Sequence, residues 1–200
     1  MKKKIDLQGC RNLISKNGIL FIFILLCVLL SIITPGFLSW VNVVNILRQS
    51  SIIGIMAIGT TFVIIGGGFD ISVGSILALT GAMCIGLQYY MHWIPAILLV
   101  LIIGTLLGLL NGFLVVKIHI PAIIATLGTM TIIRGLTYLY TGGYPLYVEA
   151  PDFAFIGTGY LGPIPFPVVL LIIMVAFWQF ILVRTKFGRY ACAIGGNKEA

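Results

Sequence analysis

Long apolar runs, broken by short polar or Gly/Pro stretches, dominate this chain from residue 19 onward. Ile19–Ile33 is the first run and Pro35-Gly36 ends it. Phe37–Gln49 is less apolar, with Asn42, Asn45, Arg48 and Gln49 set among Trp40, Val43, Val44 and Leu47. That mixture predicts an interfacial helix anchored by Trp40. Ile52–Ile65 predicts a second span, short unless it borrows residues from that helix. Val73–Met91 predicts a third, running into an aromatic belt of Tyr89, Tyr90 and Trp93. Pro95–Val116, Pro121–Tyr140 and Pro167–Val183 predict the fourth, fifth and sixth. The expected fold is all-α: a polytopic helical membrane protein forming a single domain of about six transmembrane helices.

Gly66–Ser75, GGGFDISVGS, interrupts this pattern most sharply. Three consecutive glycines weaken a helix, because glycine loses most entropy on ordering. Asp70 follows, with Ser72 and Ser75 suited to starting the next helix. An aspartate at the bilayer centre costs about 2.5–3.5 kcal/mol, so it needs a partner, water or a role. It either lines a path or caps the third span; capping is favoured, because the topology places it near the cytoplasmic face. Treating Ile52–Met91 as one broken span is disfavoured. About 40 residues make roughly 60 Å of helix, twice the roughly 30 Å hydrocarbon core.

Charge sets the expected orientation. Ten of the twelve basic residues lie outside the apolar spans: Lys2, Lys3, Lys4, Arg11 and Lys16 before them, Lys117 between two, and Arg184, Lys186, Arg189 and Lys198 at the end. Six crossings from a cytoplasmic N-terminus bring every one of these positions to the cytoplasmic side. Thr141–Phe166 then lies outside, carrying Glu149 and Asp152 but no lysine or arginine. Arg48 is the exception, falling on the outer side. The MKKK start followed by Gly18–Thr34 imitates a signal peptide, but the run is long and no A-x-A site follows, which favours a retained anchor.

Composition excludes other classes. Of 200 residues, 60% are hydrophobic and 8% charged, with a mean hydropathy of +1.16; a soluble domain carries about 25% charge. The net charge of +7 comes without basic clusters interleaved with aromatics, so nucleic acid is not an expected partner. Cys10, Cys27, Cys84 and Cys192 stand singly, which argues against disulfide and zinc readings. His92 and His119 sit at span edges with no carboxylate pair nearby, and no Gly-Lys-Ser/Thr follows the glycine run. No catalytic constellation, metal site or cofactor is implied, and the chain is not expected to be an enzyme.

The polar inventory inside the spans is Thr60, Thr61, Asp70, Ser75, Thr80, Asn111, Thr126, Thr129, Thr131 and Arg134. It suits a neutral, hydroxyl-rich cargo, or equally hydrogen bonding between helices. Arg134 lies in the outer half and is expected to snorkel outward or meet a carboxylate. Gly104, Gly108 and Gly112 on the fourth span, with Gly74, Ala78, Ala82 and Gly86 on the third, form small-residue stripes that predict close helix packing. Thr141–Phe166, rich in Gly, Pro and aromatics, reads as an ordered irregular segment that caps the outer mouth, receives a partner or simply tucks onto the bundle. Gly195-Gly196 ends any helix before it, and Asn197 suits the cap of a new one. The chain stops at that helix's first turn, which reads as a truncation.

Three blocks carry a family resemblance. GGGFDISVGSILALTGA resembles the signature of the ribose-type sugar permeases of bacterial ATP-binding-cassette (ABC) importers. NGFLVVKIHIPAIIATLGTMTIIRGLTYLYTGG resembles that family's next block, and KFGRYACAIGGNKEA the start of its coupling loop. The resemblance implies a permease of the bacterial cytoplasmic membrane that forms a homodimer. It also implies an extracytoplasmic sugar-binding protein outside, an ATPase subunit inside, and further spans after residue 200. Gly195, Gly196, Asn197, Glu199 and Ala200 match the loop that meets the ATPase. Gly67, Asp70, Ser72, Gly74 and Ser75 match the signature, as pathway-lining or structural residues, and Asn111, Thr126 and Thr129 are further pathway candidates. Phe69 stands where the family usually has an aliphatic residue. The rival readings are a secondary active transporter of a small polar solute, for which only Asp70 could couple an ion, and a scaffold or channel subunit.

Overall fold

The computed structural model describes residues 18–147 and 150–196, and within these it contains eight helices and one short hairpin. They are α1 (Gly18–Ile33), α2 (Trp40–Ile65), α3 (Val73–Leu87), α4 (Trp93–Val116), α5 (Ala122–Thr141), α6 (Pro151–Thr158), β1 (Tyr160–Leu161), β2 (Ile164–Pro165), α7 (Phe166–Arg184) and α8 (Lys186–Gly196). Four of them, α2, α4, α5 and α7, are long and apolar enough to cross a membrane, and α1 and α3 are shorter apolar helices. The all-α polytopic fold is as the apolar pattern predicts. The chain divides into two units, residues 1–46 and 47–200.

In the first unit, α1 buries none of its residues, as a helix facing lipid would. The chain then turns through Pro35 and Gly36, the glycine at φ 85°. Ser39 caps the start of α2: its Oγ accepts from the Asn42 backbone N–H at 3.2 Å, while Asn42 Nδ2 donates to the Phe37 carbonyl at 2.6 Å.

The expected interfacial helix Phe37–Gln49 and separate span Ile52–Ile65 are instead one helix of 26 residues, α2, about 39 Å long. The polar pair Ser50-Ser51 does not break it, because the Ser51 hydroxyl donates to the Leu47 carbonyl one turn back at 2.7 Å.

In the second unit α3 is central. It runs antiparallel to α4, with Ser72 against Asn111, Thr80 near Gly104 and Cys84 packed on Ala96 and Val100. It runs parallel to α5, with Ile71 beside Thr126 and Gly86 under Tyr140. The third span ends at Leu87 rather than Met91, and residues 88–90 close as turns. Of the α4 stripe, Gly104 lies within van der Waals reach of α3, whereas Gly108 and Gly112 have open space beside them in this chain. Among the described residues the small-residue pattern is therefore only partly used in packing.

A second helix pair completes this unit. α2 and α7 run parallel: Gly54 meets Leu171, and Phe62 stacks edge-on against Trp178 at 5.2 Å. α8 folds back after Thr185 and brings Phe187 within 5.9 Å of Phe62. At the other end of α2, Arg48 Nη2 donates to the Thr158 carbonyl at 3.2 Å and its guanidinium lies 5.3 Å from the Tyr160 ring centre. Residues 141–166 are more regular than expected, holding α6 and the β1–β2 hairpin. Phe153 of α6 packs on the Cys84, Ala96 and Val100 cluster, so this segment is seated on the bundle. Glu149 lies outside the described residues.

Candidate functional site

The glycine-rich break is a capped helix end followed by a polar node. Gly67 takes φ 77°, in the left-handed region. Its N–H donates to the Ile64 carbonyl at 2.9 Å and that of Gly68 to Val63 at 2.9 Å. This pair of bonds is the Schellman closure, which favours glycine at its left-handed position. Within 66–72 the N–H groups of Gly66, Gly67, Gly68, Ile71 and Ser72 all find acceptors. In membrane proteins irregular backbone is tolerated where it is buried in protein or lines a water-filled cavity.

Asp70 organises the next turn. One oxygen, Oδ1, accepts from both the N–H and the hydroxyl of Ser72, each at 2.7 Å. Ser72, fully buried, stands at the N-cap of α3 but makes no side-chain capping bond; its hydroxyl proton goes to Asp70 instead. Asn111 Nδ2 from α4 donates to the same Ser72 oxygen at 2.7 Å, and Ser75 Oγ donates to the Ser72 carbonyl at 2.7 Å. From α5, Thr126 Oγ1 accepts from the Ile71 N–H at 3.3 Å, and Thr129 Oγ1 donates to the Thr126 carbonyl at 3.1 Å. Asp70, Ser72, Ser75, Asn111 and Thr126 thus meet at one point joining α3, α4 and α5, with Thr129 one turn beyond. Asn111 Oδ1 is buried there with no partner among the described residues.

The remaining threonines, like Thr129, bond within their own helix. Thr60, Thr61, Thr80 and Thr131 each donate to a carbonyl three or four residues earlier in their own helix. They satisfy themselves rather than linking helices.

Further along the α3–α5 seam lies a cavity of about 370 Å³. Gly74, Ser75 and Ala78 form its α3 wall; Arg134, Thr137, Tyr138 and Thr141 form its α5 wall. Among the described residues no carboxylate lines it; Arg134, expected to snorkel or pair with an acid, borders a polar hollow there. Thr137, Tyr138 and Thr141 were not among the candidates read from the sequence. Positions 134, 137, 138 and 141 follow the i, i+3, i+4, i+7 rule, so the polar face was readable as a periodicity.

Gly195 comes against the end of α2. A Cβ built on it would overlap the Ile65 carbonyl oxygen and lie 2.9 Å from its carbon and 3.6 Å from the Gly67 nitrogen. The glycine allows α8 to touch the backbone where the Gly66–Ser75 break begins. Gly196 ends α8, while Asn197, Glu199 and Ala200 lie outside the described residues.

A family described as the branched-chain amino acid transport system / permease component matches residues 42–200. The chain belongs to this permease family. Within it, similarity is high to sugar permeases. The chain is 45% identical to the ribose import permease protein RbsC of Haemophilus influenzae, over 98% of this chain and 62% of that protein. It is 40% identical to the protein of the same name in Bacillus subtilis, over 100% and 62%, and 32% identical to the L-arabinose ABC transporter permease protein AraH of Azospirillum brasilense, over 96% and 57%. The chain thus spans about three fifths of the length of these relatives. No solved structure matches it. Family membership and the apolar helices together make this a multi-pass membrane protein of the permease class, and the resemblance to ribose-type permeases stands.

Proposed function

We propose that this permease-family chain is part of the membrane subunit of an ABC importer for a ribose-like monosaccharide. The observation that carries the reading is its 45% identity to a ribose import permease along nearly its whole length. In this reading the sugar arrives from an extracytoplasmic binding protein. A separate ATPase subunit supplies the energy, and the chain itself performs no catalysis. Two copies of the permease, each a single transmembrane domain set in lipid, enclose the path. The open flank of Gly108 and Gly112 is consistent with a surface left for another helix.

The N-terminus and residue 200 face the cytoplasm. Gly195, Gly196, Asn197, Glu199 and Ala200 then form the start of the surface that meets the ATPase. The node of Asp70, Ser72, Ser75 and Asn111 positions the helices that line the path, with Gly67, Gly74, Thr126 and Thr129 shaping the same wall. The contact of Gly195 with Ile65 supports a direct mechanical link between that surface and the node.

The test is the full-length permease in proteoliposomes with its ATPase and sugar-binding protein. Labelled ribose uptake should require ATP and the binding protein and survive an uncoupler. Uptake that ignores ATP and collapses with the ion gradient would instead establish a secondary transporter.

A further inference from the structure

The cavity between α3 and the C-terminal half of α5 shares Gly74 and Ser75 with the break and extends beyond the node, to Arg134, Thr137 and Tyr138. Its volume of about 370 Å³ falls at the small end of ligand sites, roughly 300–1,000 Å³. Its chemistry is mixed. The hydroxyl protons of Ser75 and Thr137 are committed to the carbonyls of Ser72 and Ile133, at 2.7 and 2.9 Å, so their oxygens are left as acceptors. Thr141 Oγ1 already accepts from the Gly143 N–H at 3.2 Å and keeps its own proton to donate. Arg134 brings five N–H donors, and Tyr138 and Tyr144 each a phenol and a ring face.

This set decides against charged ligands. A cation would meet Arg134 and, among the described residues, no carboxylate. An anion would meet one guanidinium but also the acceptor oxygens of Ser75 and Thr137. A neutral polyol, whose hydroxyls both donate and accept and whose C–H faces lie flat on aromatic rings, matches the described lining.

We propose, resting on the importer reading above, that this cavity is a transit subsite for the sugar. Arg134 and Thr137 act as specificity-determining residues that hydrogen-bond its hydroxyls. The subsite lies on the face of α3 carrying Gly74 and Ala78, whose missing bulk keeps it open.

The experiment uses the full-length permease with its ATPase and binding protein in proteoliposomes. It measures uptake of ribose and of ribose analogues each lacking one hydroxyl. Arg134→Gln and Thr137→Val are compared with wild type at equal membrane abundance and equal ATPase co-purification. Each variant should lower ribose uptake about tenfold, the scale of one lost hydrogen bond to a charged group or of one buried hydroxyl left unpaired. Each should also narrow the preference for ribose over at least one analogue. Because the same binding protein delivers every sugar, that ratio isolates the permease. Wild-type uptake and an unchanged preference in both variants would overturn the subsite while leaving the importer reading intact. An equal fall for all sugars would also overturn it, since that marks a structural role. A wild-type protein that moves none of these sugars would sink both readings together.

Discussion

Gly195 touches the carbonyl of Ile65 so closely that no side chain fits between them. The contact ties the last turn of α8 to the backbone from which the Gly66–Ser75 break begins. Replacing the glycine tests it. Gly195→Ala would gain roughly 0.5–1 kcal/mol from helix propensity if the site were free. Against backbone it should cost about 1–3 kcal/mol instead, seen as a lower unfolding temperature of the detergent-solubilised full-length protein. A rise in that temperature would remove the contact from consideration.

Ser72 and Asn111 should show energetic coupling. Ser72→Ala and Asn111→Leu each remove the 2.7 Å bond between α3 and α4. Inter-helix hydrogen bonds in membranes average about 0.6 kcal/mol and reach about 1.7. A double-mutant cycle in a mixed-detergent unfolding assay should return a value in that range, and strict additivity would show the node to be energetically silent.

Arg48 should hold the α6–hairpin segment in place. Arg48→Met keeps the apolar stem but removes the bond to Thr158 and the stacking on Tyr160. A cation over a ring contributes about 0.5–2 kcal/mol, depending on its desolvation. Amide hydrogen exchange across residues 150–165 should accelerate several-fold in the variant, with α3 and α4 unchanged.

Two glycine substitutions should differ in sign. Gly86 lies against the Tyr140 phenol, its hydroxyl nearest, whereas Gly108 has open space beside it among the described residues. Gly86→Ala should destabilise the solubilised monomer. Gly108→Ala should be neutral or stabilise it by about 0.4–1 kcal/mol, through helix propensity and the reduced freedom of the unfolded chain. Thermal unfolding of the two variants side by side decides this.

Cys192 is an exposed thiol on α8 and reports sidedness. In a Cys10→Ser background, a membrane-impermeant maleimide should label Cys192 in inside-out vesicles and leave it unmodified in intact spheroplasts. Labelling from the outside would invert the orientation proposed for the whole chain.

The sequence alone determined the membrane class, the run of apolar helices and the position of the break, because each follows from local composition. Apolar length against bilayer thickness sets a span, and three glycines before an aspartate set a helix end wherever they occur. Some boundaries resisted that logic. The polar residues of Phe37–Gln49 looked interfacial, yet a back-bonded Ser51 lets α2 run on. Residues 141–166 looked irregular, yet Phe153 and Arg48 fasten them to partners distant in the chain. Tertiary structure alone brought Ser72 to Asn111, Arg134 and Thr137 to the Gly74–Ala78 face, and Gly195 to Ile65. Those pairings depend on helix rotation and register between segments far apart in the chain, quantities that a single helix's own pattern does not encode.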